Sequence, residues 1–233
     1  MTLDSLTTDA QTIEPQVAQA FAPPLISTAA RATLFPSGDI PTLETQNDKA
    51  LKIVTVNGSP SYPSKTAALV QEVLNRLETH LDFEVTNISV GELVPFLANT
   101  YADPSSPVAT ALAAIAEADF VIAASPIYKG TYTGLFKHVF DLLPPSALAD
   151  KPVLLIATGG SERHTLALEH SFRPLFGFFQ AETLPLGIYG HDQEFENYVV
   201  VSQQLSDRID RTVARALPFL SAQRREESLH PVI

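Results

Sequence analysis

The sequence predicts an α/β domain in which a five-stranded parallel sheet is covered by helices on both faces. Strand-like and helix-like segments alternate five times from residue 51 onward, which is typical of parallel sheets built from strand–helix–strand units. The strand-like runs are almost continuously apolar, as expected for strands buried on both faces. Turns rich in Gly, Ser, Thr and Pro follow the first, third and fourth runs.

The strands are predicted from short runs of apolar and β-branched residues. The first run is Leu51–Val56, and it ends at the turn that begins with Asn57. The later runs are Phe83–Ile88, Asp119–Ala124, Pro152–Ala157 and the less regular Glu182–Tyr189. Five such units in about 170 residues match the flavodoxin-like strand order 2-1-3-4-5.

The helices are predicted from apolar residues that recur every three to four positions. The first helix, Thr66–Leu81, carries this period at Leu69, Val70, Val73, Leu74 and Leu77. Further helices are predicted at Pro107–Ala116, Thr131–Leu143, His164–Phe179 and Glu196–Leu220.

The amino-acid composition and the apolar pattern of the chain change at about residue 50. Residues 1–49 are rich in Thr, Ala, Pro and Gln and lack periodicity, so a flexible N-terminal arm is predicted there. The alternative is an arm that docks on its own domain or on a neighbouring subunit through Leu25, Ile26, Leu34 and Phe35. Residues 50–222 are predicted to form the α/β domain, and the charged residues 223–233 a frayed tail.

The amino-acid composition of the chain excludes several kinds of site and partner. The chain of 233 residues has no cysteine, which excludes disulfides, thiolate nucleophiles and iron–sulfur clusters. Its net charge of −11, without a Lys/Arg cluster, disfavours nucleic acid and anionic membranes. We find no secretory signal and no apolar run near the roughly 20 residues of a membrane span. We therefore expect a cytoplasmic protein with no metal site.

The turn after the first strand, residues 57–66, is predicted to bind an anion. Ligands of open parallel sheets bind past the carboxyl ends of the strands, where the strand order reverses. This turn leads into a helix N-terminus, whose free N–H groups and dipole favour anions. Lys65 adds a charge, and hydroxyl groups come from Ser59, Ser64 and Thr66. The turn matches neither a nucleoside-triphosphate P-loop nor G-x-G-x-x-G, and an ordinary turn capped by Ser64 is the alternative.

The turns after the third and fourth strands complete the predicted site. Pro126 keeps the second turn extended, and Gly130 permits close approach of the backbone to a ligand. Tyr128 offers a flat surface for a ring, although it and Tyr132 could instead pack against a neighbouring subunit. The third turn, Thr158-Gly159-Gly160-Ser161, exposes N–H groups that can donate to ring carbonyl oxygens.

Four segments in a fixed order carry a family resemblance. They are Gly58-Ser59-Pro60 with Ser64-Lys65-Thr66, Ser125-Pro126-Ile127-Tyr128-Lys129 with Tyr132-Thr133-Gly134, Asp141-Leu142-Leu143-Pro144, and Ala157-Thr158-Gly159-Gly160. Together they resemble the NAD(P)H-dependent FMN reductases of sulfonate utilisation, which supply reduced flavin to two-component monooxygenases. The resemblance runs from about residue 51 to residue 220.

The resemblance implies FMN as the flavin and NADPH or NADH as co-substrate. Four residues are implied to hold the FMN phosphate, namely Ser59, Ser64, Lys65 and Thr66. Contacts to the flavin ring and ribityl chain are implied for Pro126, Ile127, Tyr128 and Lys129. The pyrimidine side of the flavin is implied to face Thr158, Gly159, Gly160 and Ser161. A homodimer or homotetramer and a monooxygenase partner are also expected.

Tyr132 matches a tyrosine that this family links to a π-bulge in the following helix and to the use of flavin as a substrate. The glycines at 130 and 134 leave the local backbone free to bulge, so we expect Tyr132 to gate flavin release. One departure from the family is Ser61, where some relatives carry an arginine near the phosphate. This departure predicts weaker retention of the flavin, which Lys65 offsets.

Hydride passes directly from nicotinamide C4 to flavin N5 in such enzymes, so no catalytic acid–base pair is required. Two other functions fit the same scaffold. A quinone, azo-dye or chromate reductase would hold FMN tightly, and an electron carrier of the flavodoxin type would not oxidise NAD(P)H. Retained yellow flavin distinguishes the first alternative, and a stable blue semiquinone distinguishes the second.

Overall fold

The computed structural model describes residues 50–99 and 105–229. The predicted arm, residues 1–49, and residues 230–233 of the predicted tail lie outside this range. The strands are β1 (Leu51–Asn57), β2 (Phe83–Ser89), β3 (Phe120–Pro126), β4 (Pro152–Gly159), β5 (Glu182–Thr183), β6 (Ile188–His191), β7 (Phe195–Glu196) and β8 (Val199–Val200). The α-helices are α1 (Lys65–Glu78), α2 (Val90–Leu93), α3 (Pro107–Glu117), α4 (Gly134–Asp141), α5 (Arg173–Phe178) and α6 (Gln203–Leu229).

The main sheet has the order β2-β1-β3-β4-β5, and its paired strands are parallel, which confirms the predicted fold. β6 also pairs with β4, beyond the end of β5. This arrangement places the carboxyl ends of β1, β3 and β4 side by side at one edge. The turns that follow these three strands therefore lie together.

Alternate residues of the central strands are buried on opposite faces of the sheet. On one face, Val54 and Val56 pack with the apolar sides of α3, α4 and α5. On the other face, Ile53 and Ile122 pack with α1 and α6. The near-continuous apolar runs in the sequence follow from this burial on both faces.

The fifth predicted strand is two strands. Pro185 lies between β5 and β6, and it has no N–H group with which to continue a ladder. The backbone at Gly187 also passes close to β4, since a Cβ added there would lie 3.1 Å from the Leu155 carbonyl oxygen. The chain therefore leaves β4 after Thr183 and rejoins it at Ile188.

The helix predicted at Thr131–Leu143 begins three residues later, at Gly134. Thr133 is its N-cap, and its side chain accepts a hydrogen bond from the Phe136 N–H at 3.1 Å. The expected π-bulge after Tyr132 is wrong, because residues 134–141 form a regular α-helix. A π-helix does occur further along the chain, at Leu168–Phe172.

The helix predicted at His164–Phe179 is not continuous. It consists of a 3-10 turn at Glu162–His164, the π-helix at Leu168–Phe172, and α5. The break falls at residues 165–166, and the π-helix continues directly into α5. Pro174 lies in the first turn of α5 and has no N–H to donate to a carbonyl of the π-helix.

The last helix begins at Gln203, whereas the sequence predicts a start at Glu196. Asn197 and Tyr198 have positive φ angles of 48° and 63°, and they form the turn of the β7–β8 hairpin. The helix continues to Leu229, past the boundary predicted at residue 222. Among the described residues, none of the helices combines the length and apolarity that crossing a membrane would need.

Candidate functional site

The turns after β1, β3 and β4 enclose a cleft of about 270 Å³ at the carboxyl edge of the sheet. Ten of the predicted site residues line it, namely Ser59, Ser64, Lys65, Thr66, Pro126, Ile127, Tyr128, Thr158, Gly159 and Gly160. Ser61, Pro63, Asp192 and Tyr198 complete the lining. Lys129, Ser161 and Tyr132 do not contribute to it.

The first turn presents hydrogen-bond donors at the N-terminus of α1. Ser64 is the N-cap, and its side-chain oxygen accepts from the Ala67 N–H at 3.1 Å. Its hydroxyl proton stays available to a ligand, because this bond uses only the oxygen as acceptor. The N–H groups of Lys65 and Thr66 find no acceptor among the described residues, as expected for the first turn of a helix. They are oriented for an anion.

The Ser59 hydroxyl is used inside the turn. It donates to the Ser61 carbonyl oxygen at 3.0 Å, and the Ser59 N–H donates to Asn57 Oδ1 at 3.0 Å. Ser59 is buried, at 3% exposure. Its main contribution in this structure is therefore to fix the shape of the turn.

The hydroxyl groups of three threonines connect the first turn to its neighbours. The hydroxyls of Thr66 and Thr158 are 2.7 Å apart and both buried, which ties α1 to the end of β4. Thr133 donates its hydroxyl proton to the Gly58 carbonyl oxygen at 2.7 Å, which ties α4 to the end of β1. These buried bonds hold the turns in register, because leaving such groups unpaired is costly.

The second turn is tight and places an aromatic ring at the rim. The Tyr128 N–H donates to the Thr131 carbonyl oxygen at 2.9 Å, across Lys129 and Gly130. Both of these residues have positive φ, 55° and 92°, so Lys129 lies at the tip of the turn and outside the cleft lining. Tyr128 is 51% exposed, which leaves its ring free to cover a ligand.

The third turn leaves no room for a side chain at Gly159. A Cβ added at Gly159 would lie 2.6 Å from the Tyr189 hydroxyl oxygen. That hydroxyl donates to the Ser161 carbonyl oxygen at 2.6 Å, and burial raises the pKa of Tyr189 above its usual value. Tyr189 is missing from the sequence interpretation, and it fixes the position of Ser161 outside the cleft.

A second missed residue, Asp192, lies beside Lys65. Its carboxylate Oδ1 is 3.1 Å from Lys65 Nζ. Asp192 belongs to the segment after β6, which the pairing of β6 with β4 brings to this edge. Nothing local in the sequence predicts this proximity. Among the described residues that line the cleft, Lys65 is the only cation and Asp192 the only carboxylate.

Tyr132 lies on the other side of the second turn. Its ring packs against Phe136 and, edge-on, against Phe172, with centroids 5.5 and 5.3 Å apart. Burial raises the pKa of Tyr132. It borders a separate groove of about 750 Å³ between α4 and α5, which also contains Phe178. Phe172 ends the π-helix, so Tyr132 does contact a π-helix, although not the one expected.

The donors fit a flat ring that carries a phosphate group. At one end of the cleft are two main-chain N–H groups, the Ser64 hydroxyl and an ammonium, which suit a phosphate. At the other end, Ile127 and Tyr128 offer apolar surface beside the backbone of Gly159. Among the described residues, no cluster of His, Asp and Glu could hold a metal ion.

The chain matches known proteins over the region that builds this cleft. The family model described as NADPH-dependent FMN reductase matches residues 51–196. The chain is 44% identical over 173 residues to the NADH-dependent FMN reductase SfnF of Pseudomonas fluorescens, and this match covers 73% of the chain and 92% of the relative. It is 42% identical over 174 residues to an FMN reductase (NADPH) of Pseudomonas aeruginosa, with 74% and 94% covered.

A solved structure agrees with the sequence matches. The apo crystal structure of the NADH:FMN oxidoreductase EmoB is 31% identical, with a TM-score of 0.66. It is matched over 74% of this chain and 90% of its own. The residues 51–196 of the family match include all three turns and Asp192.

Proposed function

Because the chain belongs to the NADPH-dependent FMN reductase family, as the sequence predicted, we propose that it reduces FMN with NADPH or NADH and releases the reduced flavin. The observation that carries this proposal is the pair of free N–H groups beside Lys65, in a cleft whose far end suits a flat ring. A flavodoxin-like sheet with this cleft has both parts of an FMN site at the edge where ligands bind.

The phosphate end of the cleft comprises Ser64, Lys65 and Thr66. We propose that the FMN phosphate accepts hydrogen bonds from the N–H groups of Lys65 and Thr66 and from the Ser64 hydroxyl. The dipole of the 14-residue α1 adds a favourable interaction with a dianion. Ser59 supports this end by fixing the turn.

The ring end comprises Pro126, Ile127, Tyr128 and the backbone of Gly159 and Gly160. We propose that the flavin ring packs on this surface and that N–H groups of the third turn donate to its carbonyl oxygens. Lys129 and Ser161, the two remaining candidates, come from the same turns, and we propose that they contact the ribityl chain or the nicotinamide nucleotide from the rim.

The flavin, when bound, supplies the redox chemistry by accepting a hydride from the nicotinamide. The residues of this chain orient the flavin and exclude water from one of its faces. We propose that Tyr132 controls flavin release from outside the cleft. Its ring packs on Phe136 and Phe172, and its backbone follows the Tyr128–Thr131 turn, so movement of this ring shifts the wall of the cleft.

We also propose a homo-oligomer that works in the cytoplasm, where reduced nicotinamide nucleotides are produced, and that passes reduced FMN to a monooxygenase. Phe178 is 68% exposed at the groove between α4 and α5, and exposed aromatic surface of this kind favours association. Light scattering coupled to gel filtration measures the oligomer directly.

The test of the activity is the FMN-dependent oxidation of NADH and NADPH by the purified full chain. The expected result is loss of the reduced nicotinamide absorbance only when FMN is added, with protein that is largely colourless after purification. Protein that oxidises neither nucleotide in the presence of FMN would overturn the proposal. Protein that stays yellow and passes electrons to quinones but not to free FMN would point to the quinone or azo-dye reductases.

A further inference from the structure

The ion pair between Lys65 and Asp192 lies where the phosphate of FMN is proposed to bind. Lys65 Nζ is 3.1 Å from Asp192 Oδ1. The other carboxylate oxygen, Oδ2, lies against the third turn, 3.3 Å from the position that a Cβ would occupy on Gly160. The Asp192 carboxylate thus lies between the phosphate end of the cleft and the third turn.

A phosphate and this carboxylate compete for the same cation. A phosphate oxygen in hydrogen-bond contact with Lys65 Nζ would lie within about 6 Å of the Asp192 carboxylate, since each contact is about 3 Å long. At that separation two negative groups repel each other, and solvent reduces the repulsion because the Asp192 side chain is 47% exposed. Among the described residues of the cleft there is no second cation to offset it.

We propose that Asp192 is a positioning residue that weakens FMN binding through its phosphate, so that reduced FMN leaves the enzyme readily. This inference rests on the proposed function and concerns the same site. Asp192 holds Lys65 when the cleft contains no phosphate, and it repels the phosphate when FMN enters. The carboxylate therefore keeps the affinity for FMN low, so that FMN binds and leaves as a substrate and is not retained as a tightly bound cofactor.

The test compares flavin affinities of the full chain and its Asp192→Asn variant by flavin fluorescence. Asparagine keeps the size of the side chain and removes its charge. FMN should bind about tenfold more tightly to the variant, whereas riboflavin, which has no phosphate, should change less than about twofold. The tenfold difference should shrink at about 1 M salt, where the screening length is about 3 Å.

Two control variants distinguish the effect of the Asp192 charge on FMN affinity from the effect of replacing the side chain and from the effect of net charge. Asp192→Glu keeps the charge, so its FMN affinity should stay close to that of the wild type. Glu117→Gln makes the same change in net charge, but Glu117 pairs with Lys52 at the far end of β1, so FMN affinity should not change.

Equal FMN affinity in wild type and Asp192→Asn, or an equal gain for riboflavin, would overturn the role of Asp192 and leave the proposed function intact. Failure of the wild type to bind FMN at all would overturn the proposed function itself. The titrations need no nicotinamide nucleotide, so these two failures are distinguishable.

Discussion

The two ends of the cleft are built on different physical principles. The phosphate end consists of N–H groups, a hydroxyl and Lys65, whose side chain is 34% exposed, and the favourable contribution of these groups is electrostatic. The ring end consists of backbone held in place by buried groups, such as the Tyr189 hydroxyl bonded to the Ser161 carbonyl oxygen. Electrostatic recognition spread over several donors tolerates the loss of one of them, whereas recognition by shape does not tolerate an added methyl group.

The largest effect is expected from Gly159→Ala at the ring end. The new Cβ would lie 2.6 Å from the Tyr189 hydroxyl oxygen, so Tyr189 must move and its bond to Ser161 must break. Overpacking of this kind lowers the free energy of unfolding by about 1–3 kcal/mol. Both FMN and riboflavin should lose about a hundredfold in affinity, measured by fluorescence titration.

A second substitution checks this explanation. Tyr189→Phe removes the hydroxyl that the new Cβ would meet, and the nearest ring atom, Tyr189 Cζ, is 3.5 Å away, an ordinary contact. The double variant Gly159→Ala with Tyr189→Phe should therefore bind both flavins about as well as Tyr189→Phe alone, which lacks the bond to Ser161 but has no steric clash. A double variant much weaker than Tyr189→Phe alone would show that the methyl group acts on the flavin directly.

The next effect is expected at the phosphate end. Ser64→Ala combined with Lys65→Ala removes a hydroxyl and a charge, and FMN affinity should fall roughly ten- to a hundredfold, or about 1.5–3 kcal/mol. Riboflavin should be nearly unaffected. Thermal unfolding should show a separate loss of about 1 kcal/mol, because Ser64 caps α1. Equal weakening of both flavins would place the phosphate elsewhere.

A smaller effect is expected from Tyr132→Ala, outside both ends of the cleft. The change removes ring contacts with Phe136 and Phe172, so the free energy of unfolding should fall by about 1–2 kcal/mol. If Tyr132 controls flavin release, the variant also keeps more FMN through purification and turns over free FMN more slowly. A colourless Tyr132→Ala protein with wild-type turnover would show that Tyr132 serves only in packing. Tyr132→Phe, which keeps the ring, is the control.

The smallest effect is expected from deletion of residues 1–49. The residues that line the cleft run from Ser59 to Tyr198, and β1 begins at Leu51. Flavin reduction by the shortened chain should stay within about twofold of the wild type, since the donors and the ring surface of the cleft are kept. A folded but inactive product would assign the deleted segment to the site or to an oligomer interface.

The sequence predicts the sheet and its edge well because these depend on local patterns. Buried strands produce apolar runs, and the hydroxyl-rich and glycine-rich turns after β1, β3 and β4 mark the ends at which ligands bind. Ten of the predicted residues meet in one cleft for this reason. Asp192 and Tyr189 could not be predicted in this way, because they reach the cleft through the pairing of β6 with β4, a contact that no local pattern records.

The apolar pattern also does not show where a strand or helix is interrupted. Pro185 separates β5 from β6 although the apolar pattern continues past it, and this pattern alone predicts one strand. The predicted helix at His164–Phe179 is broken at residues 165–166, before the π-helix that continues directly into α5. The bulge expected after Tyr132 rests on the family resemblance and on the glycines at 130 and 134, whereas the π-helix at Leu168–Phe172 has no simple sequence signal.

A crystal structure of the full chain with FMN would show directly which cleft holds the flavin. We expect the phosphate within hydrogen-bond distance of the Lys65 and Thr66 N–H groups, with the flavin ring against Ile127, Tyr128 and Gly159. Flavin bound in the groove between α4 and α5, or a phosphate directed away from the N-terminus of α1, would contradict it.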